Sequence, residues 1–399
     1  MTEPRQKIEP IQSLRGVAIL AVFLVHAVIW FAVVDALGGG SAYYTGNLGV
    51  DLFFIISGFV VTMSLHNSGF AVPAFYVKRI FRLMPAMFVM LALGIVLALI
   101  AKEHYPEWPY KTRSVSEPFR QALYVLTTAF VVRLDRGRPN EYCFAHTWSL
   151  NVEEQFYLAV GLICSGLALF IGRAHRDRKL AVLGIIAFVG CAALHGFRVF
   201  QADWAPEPGA ANLVERLLMY LVTWRFDFML SGVALYAGSS RLRLRVPGPF
   251  WTTAILLLTT FSPFLYMGWT GLKRNPPSTG WAARTAYLAV NVSFAISVFL
   301  ASRNVPLLPR GSIVDRALQY LGERSYAIYV LHFPFTLLNW MLIFDHLPHV
   351  HQSQMTQAVF STAGIAILTL PAAHAVHRFV ELPGIALGSR LARRWFPSV

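Results

Sequence analysis

The chain has 399 residues, of which 56% are hydrophobic and only 14% charged, and its formal net charge is +14. A soluble domain carries roughly 25% charged residues, so this composition excludes an ordinary soluble protein and indicates a polytopic membrane protein. The positive charge does not point to nucleic acid, because it follows the short segments between apolar runs. The three cysteines show no C-x-x-C spacing, so we predict neither a disulfide framework nor a metal site.

Ten apolar runs have the length and composition of membrane-spanning helices. They lie at about residues 16–34, 49–65, 80–101, 155–171, 180–197, 217–237, 250–268, 282–301, 325–344 and 355–379. If the N-terminus is cytoplasmic, the Lys- and Arg-rich connections fall inside, whereas loops 35–48 and 345–354 contain no Lys or Arg. The positive-inside rule therefore predicts an all-α polytopic membrane protein with about ten transmembrane helices and both termini cytoplasmic.

We predict a single membrane domain, residues 1–399, with its core at 11–384 and a short cytoplasmic tail at 385–399. The first run is too long for the apolar part of a signal peptide, so we expect it to be retained as a helix. A long outer-side loop, 102–149, exceeds the length of an ordinary connection, and loops of that length are usually functional.

The first span contains RGVAILAVFLVH, Arg15 to His26. Eleven helical steps place the arginine and the histidine on one face, about 16 Å apart along the axis. An arginine at the membrane surface therefore puts His26 near the midplane. At that depth, the histidine is either functional or a neutral side chain in an interhelical hydrogen bond.

The second span opens with GVDLFFIISGF, in which Asp51 lies close to the predicted outer surface. Asp51 is either a functional carboxylate or an acid favoured at a helix start by the macrodipole. Ser57 and Gly58, farther along, allow another backbone or a substrate to approach closely.

The third span begins with FYVKRIFRLMP, in which Lys78 and Arg82 share one helix face and Arg79 lies beside them. Two interpretations are open. The cluster is a positive-inside anchor, or it joins Arg15 in a cytoplasmic site for phosphate groups.

The segment HTWSLNVEEQFYL introduces the fourth span. Asn151 and Glu154 fit a helix N-cap with its reciprocal acid. Glu153 has no such structural explanation, and with Tyr157 one turn farther on we expect it to face into the bundle.

Two later spans carry polar groups within apolar helices. In RFDFMLSGVALY, Arg225 and Asp227 lie about two turns inside the sixth span; two residues apart they cannot pair along one face, so each needs a partner elsewhere. That partner is either another side chain or a substrate. In SYAIYVLHFPF, Ser325, Tyr329 and His332 form a polar stripe that faces inward.

Taken in order, these segments and the terminal HRFVELPG resemble the membrane acyltransferase-3 family, bacterial integral-membrane O-acyltransferases that modify surface glycans and other hydroxyl-bearing molecules. The resemblance runs from residue 13 to about 384. It implies a multi-pass protein of the bacterial cytoplasmic (inner) membrane, with no bound cofactor and acyl-CoA as a cytoplasmic co-substrate. It also implies a hydroxyl-bearing glycan or small-molecule acceptor, often periplasmic, and key roles for Arg15, His26 and Glu153.

Some relatives carry an additional C-terminal SGNH-type domain, whereas this chain ends 18 residues after Glu381. We therefore expect any acceptor-handling task of that domain to be absent or performed by a periplasmic partner.

The residues and the resemblance together suggest a mechanism. Coenzyme A phosphates bind at a basic cluster while the thioester arm reaches inward to His26, which acts as general base on the acceptor hydroxyl. The predicted basic cluster consists of Arg15, Lys78, Arg79 and Arg82. Glu153, or alternatively Asp51, holds the imidazole. A covalent acyl-imidazole relay is the competing mechanism.

The oxyanion of this reaction needs a donor, and the predicted candidates are Arg225, Ser57 and His332, with Tyr329 as a further acceptor contact. The resemblance favours acetyl as the transferred group. The alternative function is a transporter or flippase of a glycan or lipid-linked precursor, because intramembrane charges also line substrate pathways.

Overall fold

The structure is a computed structural model. It describes residues 8–26, 42–104, 116–127, 142–172, 175–200, 217–218, 220–222, 224–240, 248–270, 281–344 and 354–396. The regular elements in these ranges are helices: α1 (Glu9–His26), α2 (Ala42–Asn67), α3 (Val72–His104), α4 (Glu117–Thr127), α5 (Trp148–Ile171), α6 (Arg176–Phe200), α7 (Phe226–Ser239), α8 (Pro249–Thr270), α9 (Trp281–Ser302), α10 (Ile313–Glu323), α11 (Ser325–Phe344), α12 (Gln354–Val376) and α13 (Leu382–Trp395). A 3-10 helix, Tyr142–Thr147, leads into α5, and a π-helical turn, His377–Glu381, joins α12 to α13.

The helical architecture follows from the lipid bilayer that surrounds the apolar segments. Hydrocarbon offers no hydrogen bonds, so an apolar segment in a membrane satisfies its backbone groups internally by forming a helix. Among the described residues, eight helical segments are long and apolar enough to cross a membrane. They coincide with eight of the ten predicted spans, and the protein is an all-α polytopic membrane protein, as predicted. Of the other two, 325–344 is the helix α11 and 217–237 contains the start of α7. The cytoplasmic location of both termini stays a prediction.

Several boundaries differ from the sequence prediction. The loop 102–149 contains α4 and the 3-10 helix, and the part of the first span after His26 lies outside the described residues. Because α5 already begins at Trp148, Asn151 lies inside the helix rather than at its N-cap. The predicted tail 385–399 is helical as far as Trp395, in α13.

The described residues group into two compact units, which are described separately. The first contains Met1–Val25, Val34–Asn67 and Gly166–Ser325. In this unit α2 and α7 cross at two glycines: a Cβ on Gly58 would meet the carbonyl oxygen of Met229, and one on Gly232 would meet that of Ile55. Small residues are the usual means by which helices approach closely in lipid, where apolar surface gives no preference for protein over lipid.

A second close crossing in this unit joins α1 to α10. Gly16 faces the backbone of Leu318, and Gly322 faces the backbone of Gln12. Beside this crossing, the Ser13 hydroxyl donates a 3.1 Å hydrogen bond to Asp315. The crossing fixes the part of α1 that carries Arg15.

The second unit contains His26–Val33, Ser68–Ser165 and Tyr326–Val399. Here α13 packs on α3, with Gly384 and Gly388 against Phe81. These glycines recur every four residues with Ala392, and all three are buried. This small-residue stripe explains why the predicted tail is a packed helix.

The α2–α7 crossing leads to a matched pair of substitutions. We expect Gly232→Ala to lower the free energy of unfolding by about 1–3 kcal/mol, because the added methyl group overlaps the α2 backbone. Gly238→Ala on the same helix meets no described atom within 4 Å, so it should gain about 0.5–1 kcal/mol from helix propensity. Thermal unfolding in detergent measures both, and equal shifts would contradict the crossing.

Candidate functional site

His26 ends α1 and belongs to the second unit. Its ring contacts two side chains of α11 edge-on: the centroid of His332 lies 4.9 Å away and that of Phe333 lies 5.7 Å away. The two histidines that the sequence places within the membrane are therefore brought together.

A third histidine completes this group. The 3-10 helix brings His146 to 5.2 Å from the His332 ring and stacks it on Phe333 at 5.1 Å, both measured between centroids. In the sequence, His146 is a loop histidine next to an aromatic residue; such a histidine could act in catalysis but is more often ordinary packing, so it was not among the predicted site residues. Burial, with a smaller contribution from His26, lowers the pKa of His146 to about 3. His146 is therefore neutral at physiological pH.

Backbone contacts fix the tautomers of two of these rings. His146 Nε2 lies 3.2 Å from the carbonyl oxygen of Val330, and His332 Nδ1 lies 2.6 Å from that of Tyr329. A carbonyl only accepts, so each of these nitrogens carries the proton in a neutral ring. The opposite nitrogens, His146 Nδ1 and His332 Nε2, are buried lone-pair acceptors without a hydrogen-bond partner.

Tyr329 positions this histidine group. Its hydroxyl donates a 2.6 Å hydrogen bond to the carbonyl oxygen of His146, and it lies 2.6 Å from the hydroxyl of Ser149. The predicted inward-facing stripe of α11 is thus confirmed for Tyr329 and His332. Ser325, its first member, belongs to the first unit and accepts a 2.7 Å hydrogen bond from Arg15.

Glu153 lies on α5 and accepts a short hydrogen bond from the Tyr157 hydroxyl. The guanidinium of Arg79 lies 5.2 Å from the centroid of the Tyr157 ring and within electrostatic range of Glu153. The structure thus places Glu153 beside a predicted donor-binding residue. Lys78 and Arg82 are half-buried on α3, on either side of Arg79.

Tyr326 lies on α11, three residues before Tyr329. Its hydroxyl donates a 2.8 Å hydrogen bond to the carbonyl oxygen of Leu83, and three carboxylates, Glu153, Glu154 and Glu381, lie within electrostatic range. Polar side chains therefore follow one another through this unit, and we name them the polar column: His26, His332, Tyr329, Ser149, Tyr326, Glu153, Tyr157 and Arg79.

The remaining candidates lie in the first unit. Asp51 accepts a 2.5 Å hydrogen bond from Arg225, which also donates to the carbonyl oxygen of Asn47 at 2.9 Å. Asp227 accepts a 2.9 Å hydrogen bond from Arg198. The expectation that Arg225 and Asp227 find separate partners is confirmed. Ser57 is half-buried on α2, next to the crossing with α7.

One expectation about this segment was wrong. Arg225 is not two turns inside a continuous span: it directly precedes α7 with a left-handed backbone, φ 64°. Asp227 lies in the first turn of α7, where the macrodipole favours a carboxylate. The physical reason is the pair of hydrogen bonds that Arg225 makes to α2, which hold it in this backbone conformation.

Comparison with known proteins supplies independent information. The acyltransferase-3 family model, described as an acyltransferase domain, matches residues 9–376. The chain is 24% identical to the peptidoglycan O-acetyltransferase OatA of Listeria monocytogenes over 95% of its own length and 56% of that protein. It is 24% identical to the putative peptidoglycan O-acetyltransferase YrhL of Bacillus subtilis over 85% of its own length and 50% of that protein.

A third relative has a more similar length. The chain is 25% identical to the putative membrane-bound transacylase BcsY of Komagataeibacter xylinus over 97% of its own length and 85% of that protein. It spans about half the length of the two peptidoglycan O-acetyltransferases. No solved structure matches the chain.

The Tyr329 contacts generate a test of the histidine group. We expect Tyr329→Phe to lower the free energy of unfolding by about 1–3 kcal/mol, because it leaves the buried His146 carbonyl without its donor and the Ser149 hydroxyl without its acceptor. Ser149→Ala should not add to it, and a double-mutant cycle should show coupling above about 0.5 kcal/mol. Tyr266→Phe, at an exposed tyrosine of α8, is the control. Full additivity of the two substitutions would show that this hydroxyl pair is not formed.

Proposed function

The chain belongs to the acyltransferase-3 family, and on that premise we propose that it transfers an acyl group, acetyl by preference, from cytoplasmic acyl-CoA to a glycan hydroxyl on the opposite side of the bacterial inner membrane. The single observation that carries this proposal is the contact of His26 with His332, at the end of a polar column that leads to Arg79. An imidazole that titrates near neutrality is the usual general base for a hydroxyl nucleophile.

The reaction balances without any further reagent. His26 removes the proton of the acceptor hydroxyl as its oxygen attacks the thioester carbonyl carbon. The carbon–sulfur bond then breaks, and His26 returns the proton to the coenzyme A thiolate. An acyl-imidazole intermediate on His26 is the alternative route to the same products.

The tautomers of the other two histidines support separate roles for them. His146 and His332 each give their N–H to a backbone carbonyl, so a neutral ring at either position has only a lone pair to offer. Neither can stabilise an oxyanion in that form. We therefore assign His332 and His146 to accepting hydrogen bonds from N–H or O–H groups of the substrate near His26. The oxyanion role of Ser57 stays a prediction.

The donor end of the site in the second unit is assigned to Lys78, Arg79 and Arg82. The part of Arg15 in binding the phosphates stays a prediction. Guanidinium groups bind phosphate oxygens in a bidentate manner, and coenzyme A carries a diphosphate. From Tyr157 to Ser149 the polar column follows α5 for eight residues, which is about 12 Å of helix rise. A column of this length supports a route for the flexible thioester arm.

We assign Glu153 to the same donor end. Its contact with Tyr157 and its closeness to Arg79 support a role in positioning that guanidinium, rather than the predicted role of orienting His26. Asp51 is likewise assigned to the pair with Arg225 and not to the imidazole.

The acceptor is proposed from the relatives, two of which are named as acting on peptidoglycan. A periplasmic partner in place of an SGNH domain also stays a proposal. The transporter alternative makes a separate prediction: vesicles containing the purified protein would move a glycan without acyl-CoA and without acylating it.

The His26 assignment predicts a large kinetic effect. Loss of a general base typically costs about 100- to 10,000-fold in rate, so His26→Ala should lower acetyl transfer at least about 100-fold with unchanged expression. The measurement is mass spectrometry of glycans from cells with the wild-type gene, a deletion or the variant. His374→Ala, at an exposed histidine of α12, is the control. An acetyl increment that persists in His26→Ala would exclude the proposed base.

The assignment of Arg82 to the donor end predicts a change in KM only for donors that carry the coenzyme A phosphates. Since a charge-assisted hydrogen bond contributes about 1.5–3 kcal/mol, Arg82→Gln should raise KM for acetyl-CoA about tenfold or more. KM for acetyl-pantetheine, which has no diphosphate, should stay the same. Arg303→Gln, at an exposed arginine of the first unit, should change neither value. Equal effects on both donors would show that Arg82 does not contact the phosphates.

A further inference from the structure

A second set of buried polar groups lies in the first unit and includes residues that the assignments above do not use. Asp227 accepts a hydrogen bond from Arg198, and its Oδ2 atom lies 3.5 Å from His195 Nε2. Asp51, which pairs with Arg225, is within electrostatic range of both Asp227 and Arg198. We name these five residues the ion-pair cluster.

The ion-pair cluster lies at one end of the helices that form it. His195 and Arg198 lie in the last two turns of α6, Asp227 lies in the first turn of α7, and Asp51 lies in the first half of α2. The Arg198 guanidinium lies 5.0 Å from the ring of Tyr287, in the first half of α9. In the predicted topology all four of these helix ends face away from the cytoplasm.

Several atoms here are buried without hydrogen-bond partners. They are Asp51 Oδ2, Asp227 Oδ1, both ring nitrogens of His195, and Arg198 Nε. The Nδ2 atom of Asn291, one helical turn after Tyr287, is also buried without a hydrogen-bond partner. The side chains of four of these residues are almost fully buried, with relative exposures of 0–5%: Asp51, Asp227, His195 and Asn291. Leaving buried polar groups unsatisfied is costly, and a polar molecule bound among these atoms would complete their hydrogen bonding.

The charges and the unpaired atoms of the ion-pair cluster indicate which class of ligand it would bind. Two arginines and two aspartates compensate each other, and a neutral His195 leaves the ion-pair cluster without net charge. The free positions include both acceptors, on the carboxylates, and donors, on Arg198 and Asn291. An anion such as a coenzyme A phosphate gains nothing from such a set, whereas sugar hydroxyls both donate and accept hydrogen bonds.

We propose that the ion-pair cluster, with Asn291, is a binding site for a neutral oligosaccharide, namely the acceptor glycan of the reaction. This assignment rests on the proposed function for its orientation in the membrane and for the identity of the ligand as acceptor. It adds His195, Arg198 and Asn291, none of which the sequence motifs single out, to the residues that determine specificity.

The test is equilibrium binding, which does not require turnover. The probe is tritiated chitotetraose, a neutral β-1,4 glycan, and the protein is the purified full chain in lipid nanodiscs, carrying His26→Ala to prevent transfer. We expect saturable binding that His195→Leu or Asn291→Leu weakens about tenfold, since a site built to hydrogen-bond a hydroxyl loses affinity steeply when its partner is removed. His195→Gln, which keeps a donor and an acceptor, should bind within about threefold of the parent.

The matched control is His66→Leu, at a histidine of the same unit whose ring bonds Tyr236 and Asp177 at the opposite helix ends. It should leave the dissociation constant unchanged, and thermal unfolding checks that each variant is folded. Three results would overturn the inference: no saturable binding by folded protein, equal binding by His195→Leu, or displacement of the sugar by inorganic phosphate.

The outcome is separable from that of the proposed function. Sugar binding that depends on His195 in a protein without acyltransfer activity would keep this site and reject the enzyme proposal. Acetyl transfer by a protein whose sugar affinity is insensitive to His195→Leu would do the reverse.

Discussion

The structure depends on the cost of placing polar and charged groups where water is absent. That cost is several kcal/mol per group in a helix interior unless a partner is present, and the chain meets it in two ways. In the first unit, Arg225 and Arg198 neutralise Asp51 and Asp227. In the second unit, backbone carbonyls take one N–H from His146 and one from His332. The first unit therefore keeps buried ion pairs, whereas the second unit keeps neutral imidazole rings whose second nitrogens can still accept a hydrogen bond.

Close packing brings these groups into register. Apolar side chains have no preference for one another over lipid, so helix positions depend on where backbones can touch. Glycines supply these positions: Gly58 and Gly232 set α7 against α2, and Gly94 accommodates the ring of Phe144 in the 3-10 helix that carries His146. A side chain at any of these three positions would push the neighbouring segment away and displace the polar residues on it.

The sequence predicts the fold class and most helices correctly because apolar length and charge asymmetry are local properties. It also predicts that His332 faces inward and that Arg225 needs a distant partner. It does not predict which partner, since the pairing of Arg225 with Asp51 joins positions 174 residues apart. The position of His146 beside His332 depends on a 3-10 helix whose packing no sequence periodicity reveals. The helix α13 was missed because its apolar content is low, although its repeated small residues were a readable signal of packing.

The contact between α13 and α3 has a consequence for the order in which the protein is assembled. Phe81 and Gly384 are separated by about 300 residues in the chain, so at a synthesis rate of roughly 5–20 residues per second α3 waits tens of seconds for its partner helix. During that time the basic segment of α3 is already in the membrane without the surface that covers Phe81. The packing around the basic segment of α3 is thus completed only after residues 382–395 have left the ribosome.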